Sequence, residues 1–265
     1  AGNAKVNMQM SRGGGLVPFI NMNSGTQFVG KKQDGTTLPF VTKEEYTFKS
    51  PNYLLENVEL IQGRYAQQTI TVNNLQLESE FIINSRDIDL EYLTVYVREK
   101  ASNTKRERYN LAEDITLASK DSQIFFIEEN YEGFYKIIFG DGVIGKQIQN
   151  NNVIEINYLV TSGAEGNDCI NFSLTNNEAL PLIPSITLRQ PSAQGSDRED
   201  IEKIRINARK NFFSQNRTVT ESDYDIMLKK KFTYIDSISI WGGEKNEIPM
   251  YGTVYCAIKP KGNLY

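Results

Sequence analysis

Apolar and polar residues alternate in short runs along most of this chain, and the runs are separated by turn formers. Phe40–Thr42, Tyr46–Phe48, Val58–Ile61 and Thr69–Val72 are β-prone, and Ser50-Pro51-Asn52 interrupts them. Phe81–Ile83, Leu93–Val97, Ile124–Ile127, Phe134–Phe139 and Val153–Val160 continue the series. In the last of these, Ile154, Ile156 and Tyr158 fall on one face of a strand. Residues 1–35 are rich in Gly, Asn and Ser and read as irregular, with turns at Asn23-Ser24-Gly25 and Asp34-Gly35.

The period changes at Ser196. Ser196-Asp197-Arg198-Glu199 is a capping-box pattern, and Ile201, Ile204, Ala208 and Phe212 then recur at helical spacing. Thr220-Glu221-Ser222-Asp223 repeats the start signal, with Val219 and Tyr224 placed as a hydrophobic staple and Lys229-Lys230-Lys231 at the end. Two strands follow, Ser237–Trp241 and Thr253–Lys259. The expected fold is therefore α+β, a β-rich region followed by a helix–helix–strand–strand module. The boundaries read from composition are an irregular or β segment over 1–50, a β-rich domain over 51–190 and an α+β module over 191–265. The chain opens at Ala1 without Met, and the module is expected to continue past Tyr265.

Composition removes several chemistries. There is no histidine, so the commonest general base and the commonest transition-metal ligand are missing. Cys169 and Cys256 lack CxxC spacing and sit in strand-like runs, which predicts two buried free thiols. The net charge of -4 gives no reason to expect nucleic acid as a partner, and no apolar run approaches the ~18 residues of a membrane span. Glu44-Glu45 and Glu128-Glu129 are adjacent on strands and point to opposite faces, so neither pair can line one acid–base site. Glu199-Asp200 sits where a helix start favours acids.

Gly140-Asp141-Gly142-Val143-Ile144-Gly145-Lys146 satisfies the GxxxxGK part of a phosphate loop and follows a strand. The next residue is Gln147 where that loop carries Ser or Thr for magnesium, and the segment leads into another strand. A structural turn built on Gly140, Asp141, Gly142 and Gly145 accounts for the same residues. Trp241, the only tryptophan, is a candidate interface anchor or the end of a core strand. Ile206 and Phe213 lie off the first helical stripe and form a candidate contact strip. No catalytic, cofactor or metal residues are nominated, and no small-molecule substrate is expected.

Two blocks carry a family resemblance. Phe139–Lys146, Val153–Val160 and Thr161-Ser162-Gly163-Ala164-Glu165-Gly166-Asn167 form the first. The second runs from Gly195-Ser196-Asp197-Arg198-Glu199-Asp200 to Asn216-Arg217-Thr218-Val219-Thr220 and Asp223-Tyr224. Together they resemble the baseplate J-like proteins of contractile phage tails, in the manner of T-even-like wedge subunits, from about residue 55 to 260. Lys210-Asn211 departs from the pattern, where relatives commonly carry Pro. The resemblance implies a structural protein, not an enzyme, assembled in the host cytoplasm into the virion's tail baseplate. Its implied partners are sister copies, as a homodimer and ring, and other baseplate wedge subunits around a central hub, rearranging when the sheath contracts. A related contractile secretion or injection machine is the alternative setting.

Overall fold

The computed structural model describes residues 1–10, 18–73, 80–112, 118–175, 184–202, 204–205, 208–209, 217–232 and 235–260. The chain forms two compact units. One comprises Ala1–Gln62 with Ser162–Tyr265, and the other, Gly63–Thr161, is inserted into it.

The outer unit begins with β1 (Asn3–Met10), β2 (Phe19–Met22), β3 (Gln27–Lys32), β4 (Thr37–Thr42), β5 (Tyr46–Lys49) and β6 (Leu54–Gln62). The inserted unit holds β7 (Arg64–Thr71), β8 (Glu80–Ile82), β9 (Ile88–Arg98), β10 (Glu107–Leu111), β11 (Ile124–Glu129), β12 (Tyr135–Phe139) and β13 (Val153–Val160). The chain then returns to the outer unit through β14 (Cys169–Leu174), β15 (Pro184–Ala193), α1 (Glu221–Lys231), β16 (Ile235–Gly242) and β17 (Val254–Pro260).

In the outer unit six strands pair in the order β14-β3-β4-β6-β1-β15. Alternation sets their inner face: Ala4, Val6, Met8 and Met10 of β1 are buried while their neighbours are not. These residues pack with Phe28, Phe40, Val58 and Leu60, and Ile20, Met22 and Phe48 of the small β2–β5 pair join the same core. Phe172 meets Phe40 edge to face at 5.0 Å. The two edge strands also meet. Asp168 N–H donates to Ser192 O (2.7 Å) and Cys169 N–H to Ser192 Oγ (2.8 Å), so the sheet curls into a barrel-like form held at that corner by a buried serine.

The inserted unit repeats the device. Its seven strands run β7-β13-β9-β10-β11-β12-β8, and the Gln68 side chain of β7 reaches the far edge. Gln68 Nε2 donates to Ile82 O, and its Oε1 accepts from Asn84 N–H, both at 3.0 Å. Ile154, Ile156 and Tyr158 face the core with Val95, Val97, Phe125 and Ile137. Phe139 stacks edge to face with both Phe81 and Tyr109. Between them on β13, buried Glu155 pairs with Arg98 (2.7 Å) and Arg106 (3.5 Å), and Arg106 lies over the Tyr96 ring.

The expected α+β architecture is overturned: the molecule is mostly β. Among the described residues the helix–helix–strand–strand module shows one uninterrupted α-helix, α1, packed on β16 of a two-stranded sheet. The sequence reading also missed β1 and β15. They pair with one another across a long stretch of chain, with Met8 opposite Ile186, and β1 lies in a segment rich in Asn.

Helical backbone does occur at 201–202, 204–205 and 208–209, with Ile204 N–H bonded to Asp200 O. It starts after Ser196 instead of at it. The cap at Thr220 forms as a full capping box: Asp223 N–H donates to Thr220 Oγ1 and Thr220 N–H to Asp223 Oδ2. Val219 is 78% exposed, so no hydrophobic staple accompanies it. Of the two cysteines expected to be buried, Cys169 is buried and Cys256 is exposed on β17, because only a two-stranded ribbon surrounds it.

Candidate functional site

The phosphate-loop-like segment commits its own donors. Asp141 Oδ1 accepts from the N–H groups of Val143 and Ile144, both at 2.9 Å, and these bonds hold its carboxyl below the usual carboxylate range. Gly142 N–H donates to Gly145 O, Gly145 N–H to Ser119 O and Lys146 N–H to Ser122 O. The amides from 142 to 146 are thereby all used within the chain, so none of them is left to receive a phosphate oxygen. Gly142 and Gly145 take φ near +87°, in the left-handed region. A Cβ on Gly140 would lie 2.3 Å from the Gly145 carbonyl carbon. Lys146 points to Glu107 (2.7 Å), whose other contact is Gln123 Nε2. This pairing lowers the Glu107 pKa and raises that of Lys146. No helix follows, since 147–152 leads directly into β13.

Two segments separated in sequence, Ser162–Asn167 and Gly195–Asp197, converge in the outer unit. Asn167 grips the Gly195 peptide from both sides: Gly195 N–H donates to Asn167 Oδ1 (2.8 Å) and Asn167 Nδ2 to Gly195 O (2.9 Å). Asp197 Oδ1 accepts from Ala164 N–H (2.8 Å), capping the short turn Gly163–Gly166. Ser162 N–H donates to Gln62 Oε1 (2.9 Å), and Gln62 Nε2 returns a bond to Ser162 Oγ (3.2 Å). Glycine is required by proximity, since a Cβ on Gly195 would stand 2.4 Å from Gly163 O. The junction fastens the lead into the C-terminal helical region onto the sheet. Sequence reading singled out both segments without seeing that they touch; the polar residues beside the glycines, Asn167 and Asp197, were the available signal.

Trp241 lies on β16, partly buried. It stacks on Tyr255 (5.8 Å between centroids, 13° between planes) and donates from Nε1 to Asn246 Oδ1 at 3.0 Å. Ile206 and Phe213 lie outside the described residues. The connection from β16 to β17 carries apolar side chains that the reading did not nominate: Ile248 and Tyr251 are more than 80% exposed, and Met250 about half. Val254 and Ile258 of β17 are also exposed. Among the described residues no group of three or more Cys, Asp and Glu could hold a metal ion, and no helix is long and apolar enough to cross a membrane.

That C-terminal segment has a counterpart among known proteins. Residues 220–265 match the family of the baseplate structural protein gp6, C-terminal domain I. Over 93% of its length the chain is similar to the baseplate wedge protein gp6 of Enterobacteria phage T4, at 26% identity. The chain spans 40% of that relative's length. A chain in the baseplate of the anti-feeding prophage is also similar, at 15% identity and a TM-score of 0.32. The match covers 89% of this chain and 43% of that one, a likeness too slight to support conclusions about fold.

Proposed function

We propose that this chain is a structural component of the baseplate of a contractile injection system, a wedge protein built into the tail of a virion. The observation that carries the reading is the similarity to a baseplate wedge protein along 93% of the chain. The two motif blocks noted in the sequence contain the junction at Asn167, Gly195 and Asp197, which in this reading serves architecture and not chemistry. In this reading Gly140–Gly145 is a structural turn, and the chain belongs with the baseplate J-like proteins on the strength of its two motif blocks. Its partners are sister copies and other wedge subunits. The contact surface includes Ile248, Met250 and Tyr251, together with the strip at Ile206 and Phe213. Apolar side chains clustered in water on one connection are what a partner covers, at about 25 cal/mol per Å² of apolar area.

Purified tails carrying a tagged copy of the chain test the reading. Electron cryomicroscopy is expected to place the chain in the baseplate in a ring arrangement, and tails without it are expected to lack an assembled baseplate. Intact baseplates formed without the chain would overturn the reading. Changing Ile206 and Phe213 to Ser is expected to leave the chain folded and to block its incorporation.

A further inference from the structure

The connection between β11 and β12 holds one aromatic ring entirely in water. Tyr131 is 98% exposed, and the turn beneath it is fixed. Asn130 N–H donates to Phe134 O (2.8 Å) and Gly133 N–H to Asn130 O (3.0 Å). Asn130 Oδ1 accepts from the N–H groups of Glu132 (3.0 Å) and Phe134 (2.9 Å). Gly133 supplies the positive φ of +86° that the turn needs. Behind the turn, the Arg86 guanidinium lies 4.6 Å from the centroid of the Phe134 ring. A rigid turn with a large amphipathic ring has already met most of the ordering cost of binding, and tyrosine is among the residues that dominate interface energies.

The charge around the ring selects the occupant. The hairpin carries Glu128, Glu129 and Glu132. Its one lysine, Lys136, is held between Glu80 (3.1 Å) and Glu128 (3.0 Å), and Arg86 is placed over Phe134. Two copies meeting through this same hairpin would set glutamates against glutamates, which disfavours a symmetric self-contact. A surface bearing arginine or lysine satisfies both features, since a guanidinium stacks on a tyrosine ring and pairs with a carboxylate beside it.

We propose that Tyr131 is an anchor that inserts into a basic pocket on a different subunit of the assembly, with Glu132 on the rim. This rests on the baseplate reading above. The test uses the full chain in assembling tails, as wild type and as Tyr131→Ala, Tyr131→Phe and Glu132→Lys, with each purified chain melted in parallel. Tyr131→Ala is expected to lower incorporation into baseplates by on the order of tenfold. Glu132→Lys is expected to lower it in a salt-dependent way, Tyr131→Phe to retain most of it, and all three to melt with the wild type. Equal incorporation of wild type and Tyr131→Ala overturns the anchor while leaving the baseplate reading intact. Absence of the wild-type chain from purified baseplates overturns the reading and the anchor with it. A photo-crosslinking residue at position 131 then reports the occupant. A crosslink to an Arg- or Lys-bearing segment of another subunit supports the proposal. A crosslink to a sister copy's hairpin or to an acidic surface, or none from an incorporated chain, overturns it.

Discussion

Replacing Asn167 by Ala removes both bonds that hold the Gly195 peptide, at 2.8 and 2.9 Å. Each hydrogen bond contributes about 1 kcal/mol net, and a buried group left unpaired costs a further ~1 kcal/mol or more. Gly195 is buried, so its N–H and C=O are not freely rescued by water. The expected loss is about 3 kcal/mol. At ~2–4 °C per kcal/mol for a unit of this size, the outer unit's melting temperature falls by roughly 6–12 °C. Calorimetry of the full chain reads this directly, and the inserted unit, which contains neither residue, serves as an internal reference. Asn167→Asp sharpens the test. Its ionised carboxylate faces Gly195 O and repels it, whereas the protonated acid can donate, so this variant recovers stability relative to wild type as pH falls. A melting temperature for Asn167→Ala within about 1 °C of wild type would refute the idea that this junction fastens the C-terminal region.

Gly140→Ala forces a Cβ into the Gly145 backbone and is expected to lower the denaturant midpoint of the inserted unit sharply. Lys146→Ala, losing a partly exposed pair with Glu107, is expected to cost about 1 kcal/mol; the reverse order would sink the turn geometry. Glu155→Ala leaves Arg98 without its carboxylate and is expected to cost about 3 kcal/mol in equilibrium unfolding. Thr220→Ala removes the cap of α1, at about 1 kcal/mol. Backbone bonds from Thr220, and its hydroxyl, hold the Asp223 carboxyl below its ordinary 3.8. Its contribution is thus complete above that value and lost as pH falls through the lower folded one. An NMR titration that finds Asp223 at its ordinary value, in wild type and Thr220→Ala alike, would contradict the capping box.

The strands of the inserted unit were largely legible because their apolar runs are β-prone over several residues, whether the partner is near, as for β11 and β12, or far, as for β7 and β13. Val153–Val160 was located to the residue, and so was its inward face of Ile154, Ile156 and Tyr158. β1 was not, since Asn3, Asn7 and Gln9 on its outer face look like loop residues until the buried partners at 4, 6, 8 and 10 are seen together. The Ser196 cap was misplaced because a capping pattern describes only what local residues can do, and here the backbone stays non-helical through 197–200, with Ile204 N–H bonding back to Asp200 O. For the candidate site, the motif glycines were legible and their convergence was not, because nothing local to residue 167 encodes residue 195.

The insertion has a consequence for the order in which a newly made chain acquires structure. β1 pairs with β15, so Asn3 waits for Ala193 to leave the ribosome before that ladder can close. The inserted unit is contiguous and has every strand in hand once Thr161 has emerged. Domains generally fold as units during synthesis, and pairings over long separations are slow. The inserted unit therefore matures first, while β1 and β6 already form one antiparallel pair upstream of it. During that interval β1 presents an unpaired edge, which makes the nascent chain most prone to aggregation before β15 arrives. Ribosome-bound chains stalled just after residue 175 would display that exposed edge, and chains released after residue 200 would not.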